Sequence, residues 1–299
     1  MKISDAANRV PAPALFITAG FSQYIGAALA VGLFTLAPPH TVAWTRALVA
    51  GVVLLALIRP WRYSWTKKTL LESAVFGSVL LAMNVTFYIA INYLPLGAAV
   101  ALEFVGPVIV AARGAAGIRG KVSVALAAAG VALISFVGLD WSGVGPREIG
   151  IGLVAIFVAS AFWAGYMLIG GKIASERSGQ ASLAVGMIAA ALLFLPASLP
   201  WAGGLARWDA LWLIIGMGLL SSVVPYMLDQ VTIRRLGTAT FALLNALLPA
   251  TATVVGFLGL RQIPTVGELA GLVAITVAVA LSTRAAVPAV EERKKVDGD

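Results

Sequence analysis

The sequence contains no cysteine, a single histidine and few charged residues. Of its 299 residues only 11% are Asp, Glu, Lys or Arg, whereas 60% are hydrophobic, and the mean hydropathy is +0.96. The lack of cysteine excludes disulfides, thiolate metal sites and a cysteine nucleophile. The lack of charge excludes an ordinary soluble fold, which could not bury so much apolar surface. We therefore expect an all-α polytopic membrane protein.

Groups that carry enzyme chemistry are equally scarce. His40 lies beside Pro38 and Pro39 and is expected to be a surface loop residue. An intramembrane protease or lipid transferase needs paired acids, a Ser/His couple or a His-rich metal site, and the sequence offers none of these convincingly. It also has no phosphate-binding Gly-x-x-x-x-Gly-Lys loop. We expect neither an enzyme nor a protein with a cofactor or a metal.

Ten apolar stretches are long enough to cross a membrane as helices of about 20 residues. Their approximate bounds are 14–36, 40–58, 69–91, 95–116, 121–138, 149–171, 181–199, 209–233, 238–259 and 265–284. They predict one membrane domain over residues 14–284, after a cytoplasmic segment at 1–13 and before a polar cytoplasmic tail at 285–299. The first segment is too polar for a cleaved signal peptide, so the first span is expected to be retained.

The basic residues are distributed asymmetrically between the loops. Seventeen of the 21 Lys and Arg residues lie in the termini or in the loops after even-numbered spans. The opposite loops contain only Arg147, Arg207 and Arg261. Because cytoplasmic loops carry the excess of positive charge, both termini are predicted to be cytoplasmic. The net charge of +8 thus indicates topology and not nucleic-acid binding. The expected partners are membrane lipids and a small-molecule substrate, with the chain acting as a monomer.

One acid, Glu103, lies in the middle of the fourth span. A carboxylate at the bilayer centre costs about 2.5 to 3.5 kcal/mol on insertion scales, so it normally faces a wet cavity or a polar partner. Pro107, four residues later, removes the backbone donor that the Glu103 carbonyl would use, which predicts a bend at the acid. Glu103 either contacts a substrate or forms hydrogen bonds that hold the bend.

The stretch that contains Glu103 and Pro107, residues 94–107, has a similar counterpart in the second half at residues 236–249. Without any gap, the alignment places Asn245 on Glu103 and Pro249 on Pro107. A polar residue four before a proline, twice, suggests an internal repeat. With five spans in each half, the second copy must be inverted relative to the first. The two repeats are predicted at about 14–138 and 149–284.

Other polar and aromatic side chains within the spans are candidates for a cavity wall. Asn84 and Tyr88 lie one turn apart on one face of the third span, and such a face must contact protein or water in a membrane. Helix packing or an interfacial aromatic belt would also explain side chains of this kind. The candidate substrate-binding residues are Gln23, Asn84, Tyr88, Glu103, Trp163, Tyr166 and Asn245.

A second group of residues is expected to act in gating or in helix geometry. Arg46 lies near the predicted outer end of the second span, where it either snorkels or pairs with a carboxylate or the substrate. Ser221, Pro225 and Asp229 follow one another at intervals of four in the eighth span. Asp229 either pairs with nearby basic residues or serves translocation. This group comprises Arg46, Pro107, Pro225, Asp229 and Pro249.

Several short motifs carry a resemblance to a known family. They are Arg46-Ala47-Leu48, Arg59-Pro60-Trp61-Arg62, Asn84 to Tyr88, Pro95-Leu96-Gly97, Glu103-Phe104-Val105-Gly106-Pro107, Trp163-Ala164-Gly165-Tyr166 and Pro225-Tyr226. Through them, residues 14 to 284 resemble the drug/metabolite transporter superfamily and its EamA family. Within that family the sequence is similar to the inner-membrane exporters of threonine/homoserine and of aromatic amino acids.

The resemblance implies two inverted five-helix repeats around a central cavity, with both termini in the cytoplasm. It also implies export of amino acids or related small metabolites across the inner (plasma) membrane by alternating access. Leu248 and Leu260 stand where many relatives have an acid. A mechanism that uses an acid of the second repeat is therefore less expected here, and Glu103 becomes the main candidate for a functional acid. Proton-coupled export of other metabolites or drugs is the alternative. An ion channel, which would need symmetric pore-lining units, is a further alternative.

Overall fold

The computed structural model describes residues 12–114, 118–138, 145–176, 178–225, 228 and 247–296, and helices occupy all ten predicted positions in these ranges. The helices are α1 (Ala12–Leu33), α2 (Pro39–Ile58), α3 (Lys67–Ile91), α4 (Leu96–Glu103 and Val105–Gly114), α5 (Ile118–Ala132), α6 (Pro146–Glu176), α7 (Gly179–Ser198), α8 (Trp208–Gly218), α9 (Leu248–Leu260) and α10 (Val266–Val296). Tight 3₁₀ turns cover Pro60–Arg62 and Leu199–Leu205. π-Helical turns extend α5 over Leu133–Gly138 and α8 over Leu219–Val223.

The length and composition of these helices fit a membrane protein. The helices that are long and apolar enough to cross a bilayer are α1, α2, α3, α6 and α7, the last together with its following turn. α4, α8, α9 and α10 contain shorter apolar stretches. The predicted all-α polytopic class is therefore confirmed. α10 continues to Val296, beyond the predicted end of its span at 284.

Capping boxes mark the start of two helices. At α3 the Thr69 N–H donates to Thr66 Oγ1 at 3.2 Å, and the Thr66 N–H donates to Thr69 Oγ1 at 2.9 Å. At α10 the Thr265 N–H donates to Glu268 Oε2 at 2.9 Å, and the Glu268 N–H donates to Thr265 Oγ1 at 3.2 Å. Each pair satisfies backbone donors that a helix start leaves open. Glu268 is therefore a helix cap in this fold.

The chain forms two compact units, and each draws helices from both halves of the sequence. The α2/α7 unit consists of Ser22–Tyr93 and Gly150–Pro225, and it contains most of α1 with α2, α3, α6, α7 and α8. The α5/α10 unit consists of Met1–Phe21, Leu94–Ile149 and Tyr226–Asp299, and it contains α4, α5, α9 and α10. The units therefore cut across the two halves instead of following them.

In the α2/α7 unit, α2, α3 and α7 pack against one another. Trp44 Nε1 donates to the Ala191 carbonyl at 2.7 Å, and Thr41 Oγ1 donates to the Ser198 carbonyl at 3.5 Å. Because the later residue of α2 contacts the earlier residue of α7, the two helices are antiparallel. Hydrogen bonds from side chains thus fix the register of the helix pair at the centre of this unit.

In the α5/α10 unit, α5 and α10 meet through two glycines. A Cβ atom on Gly130 would lie 2.8 Å from the Gly271 carbonyl oxygen and 2.6 Å from Ile275. A Cβ atom on Gly271 would lie 2.7 Å from the Gly130 carbonyl oxygen and 2.5 Å from Ile134. The contacts are reciprocal, and they show that the helices are antiparallel. Side chains larger than hydrogen would force these backbones apart.

Candidate functional site

The interruption of α4 lies directly after the buried acid. The first segment ends at Glu103, Phe104 forms a turn, and the second segment follows. In an unbroken helix the residue at 107 would donate to the Glu103 carbonyl, but Pro107 has no N–H. The Phe104 N–H lies 3.3 Å from both the Val100 and the Ala101 carbonyl oxygens. The interruption expected at the acid therefore has its physical cause four residues further along the chain.

Glu103 is buried, with 7% of its surface exposed, and it belongs to the α5/α10 unit. Its predicted repeat partner, Asn245, lies outside the described residues, as does Asp229. Pro249 is the second residue of the described α9, and it is buried. Proline is tolerated in the first turn of a helix, so the predicted bend at Pro249 stays a prediction.

Arg46, in the α2/α7 unit, is also only 7% exposed. Within the described part of the chain, its guanidinium donates three hydrogen bonds, all to neutral groups. Nε donates to Ser222 Oγ at 2.9 Å, and Nη2 donates to the Ser221 carbonyl at 2.7 Å. Nη1 donates to the Tyr88 hydroxyl at 3.4 Å, and the guanidinium carbon lies 5.6 Å from the centre of the Tyr88 ring. Among the carboxylates of the described residues, none forms an ion pair with Arg46.

The Ser221 carbonyl is available to Arg46 because of a proline. In a regular α-helix this carbonyl would accept from the N–H of residue 225, but Pro225 has none. A buried carbonyl without a donor costs free energy comparable to a lost hydrogen bond. The Arg46 Nη2 group supplies that hydrogen bond from α2. Pro225, predicted to shape α8, thus creates the acceptor that holds a buried guanidinium.

The preceding carbonyl of α8 is satisfied in a similar way from α1. The Val224 N–H donates to the Leu219 carbonyl, which makes this turn π-helical and deprives the Leu220 carbonyl of its usual donor. Ser22 Oγ donates to the Leu220 carbonyl at 2.7 Å. Such π turns often occur at functional positions in helices. The end of α8 is therefore completed by side chains from two neighbouring helices of the same unit.

The polar face of α3 contributes two buried residues to this region. Asn84 Nδ2 donates to the Leu80 carbonyl of its own helix at 2.7 Å. Tyr88 is fully buried and meets the ring of Phe34 edge to face, with the ring centres 5.8 Å apart. Together with its contact to Arg46, this makes Tyr88 the residue that connects α2 and α3 with the turn that follows α1.

One of the two candidate aromatic residues of α6, Tyr166, packs against α3. The Tyr166 ring stacks on Phe76 with centres 4.8 Å apart and an interplanar angle of 10°. Trp163 lies three residues earlier, on the same helix face, and is half-buried. Gln23 of α1 is also half-buried. The stacking gives Tyr166 a packing role in this structure, whatever its role toward a substrate.

The structure connects residues that sequence analysis had identified separately. Arg46 and Tyr88 are in contact, and Pro225 provides the reason for the contact of Arg46 with α8. Ser222 and Ser22, which complete the arrangement, were missed. In the sequence, one signal pointed to this completion of α8. Ser221 lies four residues before Pro225, and that spacing predicts a carbonyl that lacks its helical donor.

Comparison with known proteins decides the family. The chain is 36% identical over 259 residues to the threonine/homoserine exporter RhtA of Salmonella typhimurium (strain SL1344) and to that of Escherichia coli (strain K12). In both cases the match covers 86% of this chain and 86% of the relative. The profile of the EamA-like transporter family matches residues 150–284. The chain belongs to the EamA-like transporter family.

As an EamA family member, the chain is a multi-pass transporter of the plasma membrane, and the predicted family is confirmed. A crystal structure described only as "Crystal structure of protein" is similar with a TM-score of 0.57. The similarity covers 93% of this chain and 98% of that chain at 18% sequence identity, so it shows the fold alone.

A small cavity in the α5/α10 unit is not suited to the substrate of an EamA transporter. Its volume is about 20 Å³, and Gln262, Glu268 and Gly97 are among the residues that line it. Gln262 Oε1 accepts from the Leu96 N–H at 2.9 Å and so caps the start of α4. Small-molecule sites measure roughly 300 Å³ or more, whereas this cavity has room for about one water molecule.

Among the described residues, no group of acids and histidine is arranged to hold a metal.

Proposed function

We propose that this EamA family protein exports amino acids or related small metabolites from the cytoplasm as a secondary transporter. The observation that carries the proposal is the 36% identity, over 86% of both chains, to proteins named threonine/homoserine exporters. Threonine and homoserine are therefore the first substrates to test. The absence of a phosphate-binding loop from the sequence favours transport driven by a gradient or by facilitated diffusion.

The proposed architecture is a pair of inverted five-helix repeats with both termini in the cytoplasm. The reciprocal contact of α5 and α10 supports it. Gly271 lies as many residues after Gly130 as Ile275 lies after Ile134, so the two helices contribute a glycine and an isoleucine at the same spacing. Antiparallel helices that contact each other alike from both sides are expected around a twofold axis in the membrane plane. The composition of the two units, each drawn from both halves, also supports this architecture.

The proposed substrate-binding residues are those predicted from the sequence, namely Gln23, Asn84, Tyr88, Glu103, Trp163, Tyr166 and Asn245. The polar groups among them would hold the charged part of an amino acid, and the aromatic rings would contact its side chain. Glu103 is the proposed partner of the substrate ammonium. Its burial in the middle of a broken helix supports this role, since a carboxylate in a membrane helix is costly without a function or a partner.

A second candidate is the export of other small metabolites or drugs in exchange for protons. The observation that favours it is again the burial of Glu103, because a buried carboxylate can bind and release a proton during the transport cycle. Alternating access is proposed for both candidates. They differ in whether amino acids are carried and whether a pH gradient drives the flux.

A screen in proteoliposomes tests the proposed function. Purified protein is reconstituted, and the efflux of individual labelled amino acids and drugs is measured with and without an imposed pH gradient. We expect saturable flux of threonine or homoserine above that of protein-free liposomes. Flux of drugs alone, with none of any amino acid, would contradict the proposal and favour the second candidate.

A further inference from the structure

We propose that Arg46 binds the carboxylate of the transported amino acid, and that its contacts with Ser221 and Ser222 hold the guanidinium in place until the substrate replaces them. The proposal rests on amino-acid transport as proposed above and adds the residue that recognises the carboxylate. The structure contributes four observations: the burial of the cation, its neutral partners, the N–H donors that form no hydrogen bond with the described residues, and its position beside Tyr88.

The burial of Arg46 needs an explanation beyond packing. Charged side chains within membrane helices are rare, and they normally face a polar partner or a substrate pathway. Buried charges in proteins are usually paired with an opposite charge. Among the described residues, Arg46 has hydrogen-bonding partners but no anionic one. Within the part of the chain that the structure describes, its positive charge therefore has no counterion.

The need to complete α8 does not account for the charge. The Leu220 carbonyl, next to the Ser221 carbonyl, is satisfied by the neutral hydroxyl of Ser22 at 2.7 Å. A neutral donor is therefore sufficient at this turn. A guanidinium at the next carbonyl adds a desolvated positive charge that the hydrogen bond itself does not require. The additional charge is explained if its purpose is to attract an anion.

The geometry of the guanidinium fits a carboxylate. Arginine has five N–H donors, and three of those of Arg46 bind described residues, namely Ser221, Ser222 and Tyr88. The contact with Tyr88 is long at 3.4 Å, so it is readily exchanged. A carboxylate accepts two parallel N–H bonds from one guanidinium, and these charge-assisted bonds are stronger than bonds to neutral acceptors. A substrate carboxylate can therefore displace the neutral partners.

The environment of Arg46 also suits an amino acid. The Tyr88 ring lies against the guanidinium, and Asn84 is one turn away on the same face of α3. Both were predicted to line the substrate cavity. Opening of this part of the α2/α7 unit, as required in an alternating-access cycle, would expose the guanidinium and Tyr88 to the same substrate. The anchor is thus built from α2 and α3.

The test compares L-threonine with L-threoninol, in which a CH₂OH group replaces the carboxylate. Each is used to inhibit counterflow of labelled threonine in proteoliposomes and to raise the melting temperature of the purified protein. Because hydrogen bonds to charged groups contribute about 1.5 to 3 kcal/mol, threonine should act at concentrations roughly 10- to 100-fold lower than threoninol on the wild type. In Arg46→Gln and Arg46→Lys this preference should shrink, to within about threefold for Arg46→Gln.

The control is Arg207→Gln, which removes an exposed arginine paired with Asp209 and should keep the wild-type preference. A wild-type preference in folded Arg46 variants would overturn the proposal. If neither Arg46 variant folds, Ser222→Ala decides. Loss of the Nε acceptor should lower the half-saturating threonine concentration about three- to tenfold, and an unchanged or higher value would overturn the proposal.

Failure of this proposal is distinguishable from failure of the proposed function. If the wild type carries threonine but threoninol inhibits it equally well, the protein is an amino-acid transporter without a carboxylate anchor. If the wild type neither transports nor binds any amino acid, the proposed function fails, and the carboxylate proposal fails with it.

Discussion

Two buried ionisable side chains, Arg46 and Glu103, each lie beside a carbonyl that a proline has deprived of its donor. Pro107 has no N–H to donate to the carbonyl of Glu103 itself, and Pro225 has none for the Ser221 carbonyl, which accepts from Arg46. In an apolar helix these positions are among the few where a polar side chain finds partners. Pro225 therefore both shapes α8 and supplies a partner for a buried cation, whereas Pro107 interrupts α4 directly after a buried acid.

At the residue scale, Trp163→Ala should reduce threonine flux while the protein remains folded in the membrane. Loss of a large aromatic contact costs about 1.5 to 3 kcal/mol, which corresponds to a reduction of about tenfold or more. Flux per molecule of folded protein is the quantity to measure. Trp212→Ala is the matched control, since Trp212 is 69% exposed on α8. Equal flux in both variants would remove Trp163 from the proposed cavity wall.

Glu103→Gln separates a functional carboxylate from a structural one. Glutamine keeps the shape and most hydrogen bonds of glutamate but carries no charge and does not titrate. We expect lost or pH-insensitive flux at normal abundance in the membrane. The control is Glu72→Gln. The Glu72 Oε1 atom lies 3.9 Å from Lys172 Nζ, and ion pairs of this kind typically contribute little to stability. Wild-type flux with wild-type pH dependence in Glu103→Gln would leave Glu103 a structural residue.

At the scale of elements, the position of each helix followed from the sequence, whereas the contacts between helices did not. Apolar length and loop charge locate a span without reference to its neighbours. The interruption of α4 was also predictable, since Pro107 acts on its own helix. The completion of α8 by Ser22 and Arg46 was not, because it depends on which helices pack together. Asn84 and Tyr88 were identified as buried polar residues, but not the partner of either.

The approach of α1 to the π turn of α8 predicts a stability effect. A Cβ atom on Gly26 would lie 2.6 Å from Ser221 Cβ and 2.7 Å from the Ser221 nitrogen. Gly26→Ala should therefore destabilise the protein, since overpacking typically costs about 1 to 3 kcal/mol. A lower melting temperature in detergent would show it. Gly32→Ala on the same helix is the control, because a Cβ atom there meets nothing within 4 Å. Equal melting temperatures of the two variants would contradict the close approach.

At the scale of the whole molecule, orientation is testable because the chain has no cysteine. Single cysteines are introduced at exposed positions, Ser64 after α2 and Gly203 before α8. If both termini are cytoplasmic, a membrane-impermeant maleimide should label Gly203→Cys in intact cells. It should label Ser64→Cys only after permeabilisation. The reverse pattern would contradict the orientation derived from loop charge.

Function at this scale was predictable through the family, since the motifs from Arg46 to Pro225 span most of the membrane domain. The choice of substrate was not, because it depends on side chains from several helices that converge only in the fold. Arg46 shows why: from the sequence it had both a structural and a substrate-binding interpretation. Its neutral partners among the described residues favour the substrate-binding interpretation.

Counterflow in proteoliposomes tests the central claim, that the protein is a carrier of amino acids, most directly. Vesicles are loaded with unlabelled threonine and diluted into a trace of labelled threonine at equal pH on both sides. A carrier that alternates access takes up label transiently above its equilibrium level, and the uptake saturates with substrate. We expect this overshoot in the wild type. Uptake that rises only to equilibrium, whatever the internal threonine concentration, would contradict the account.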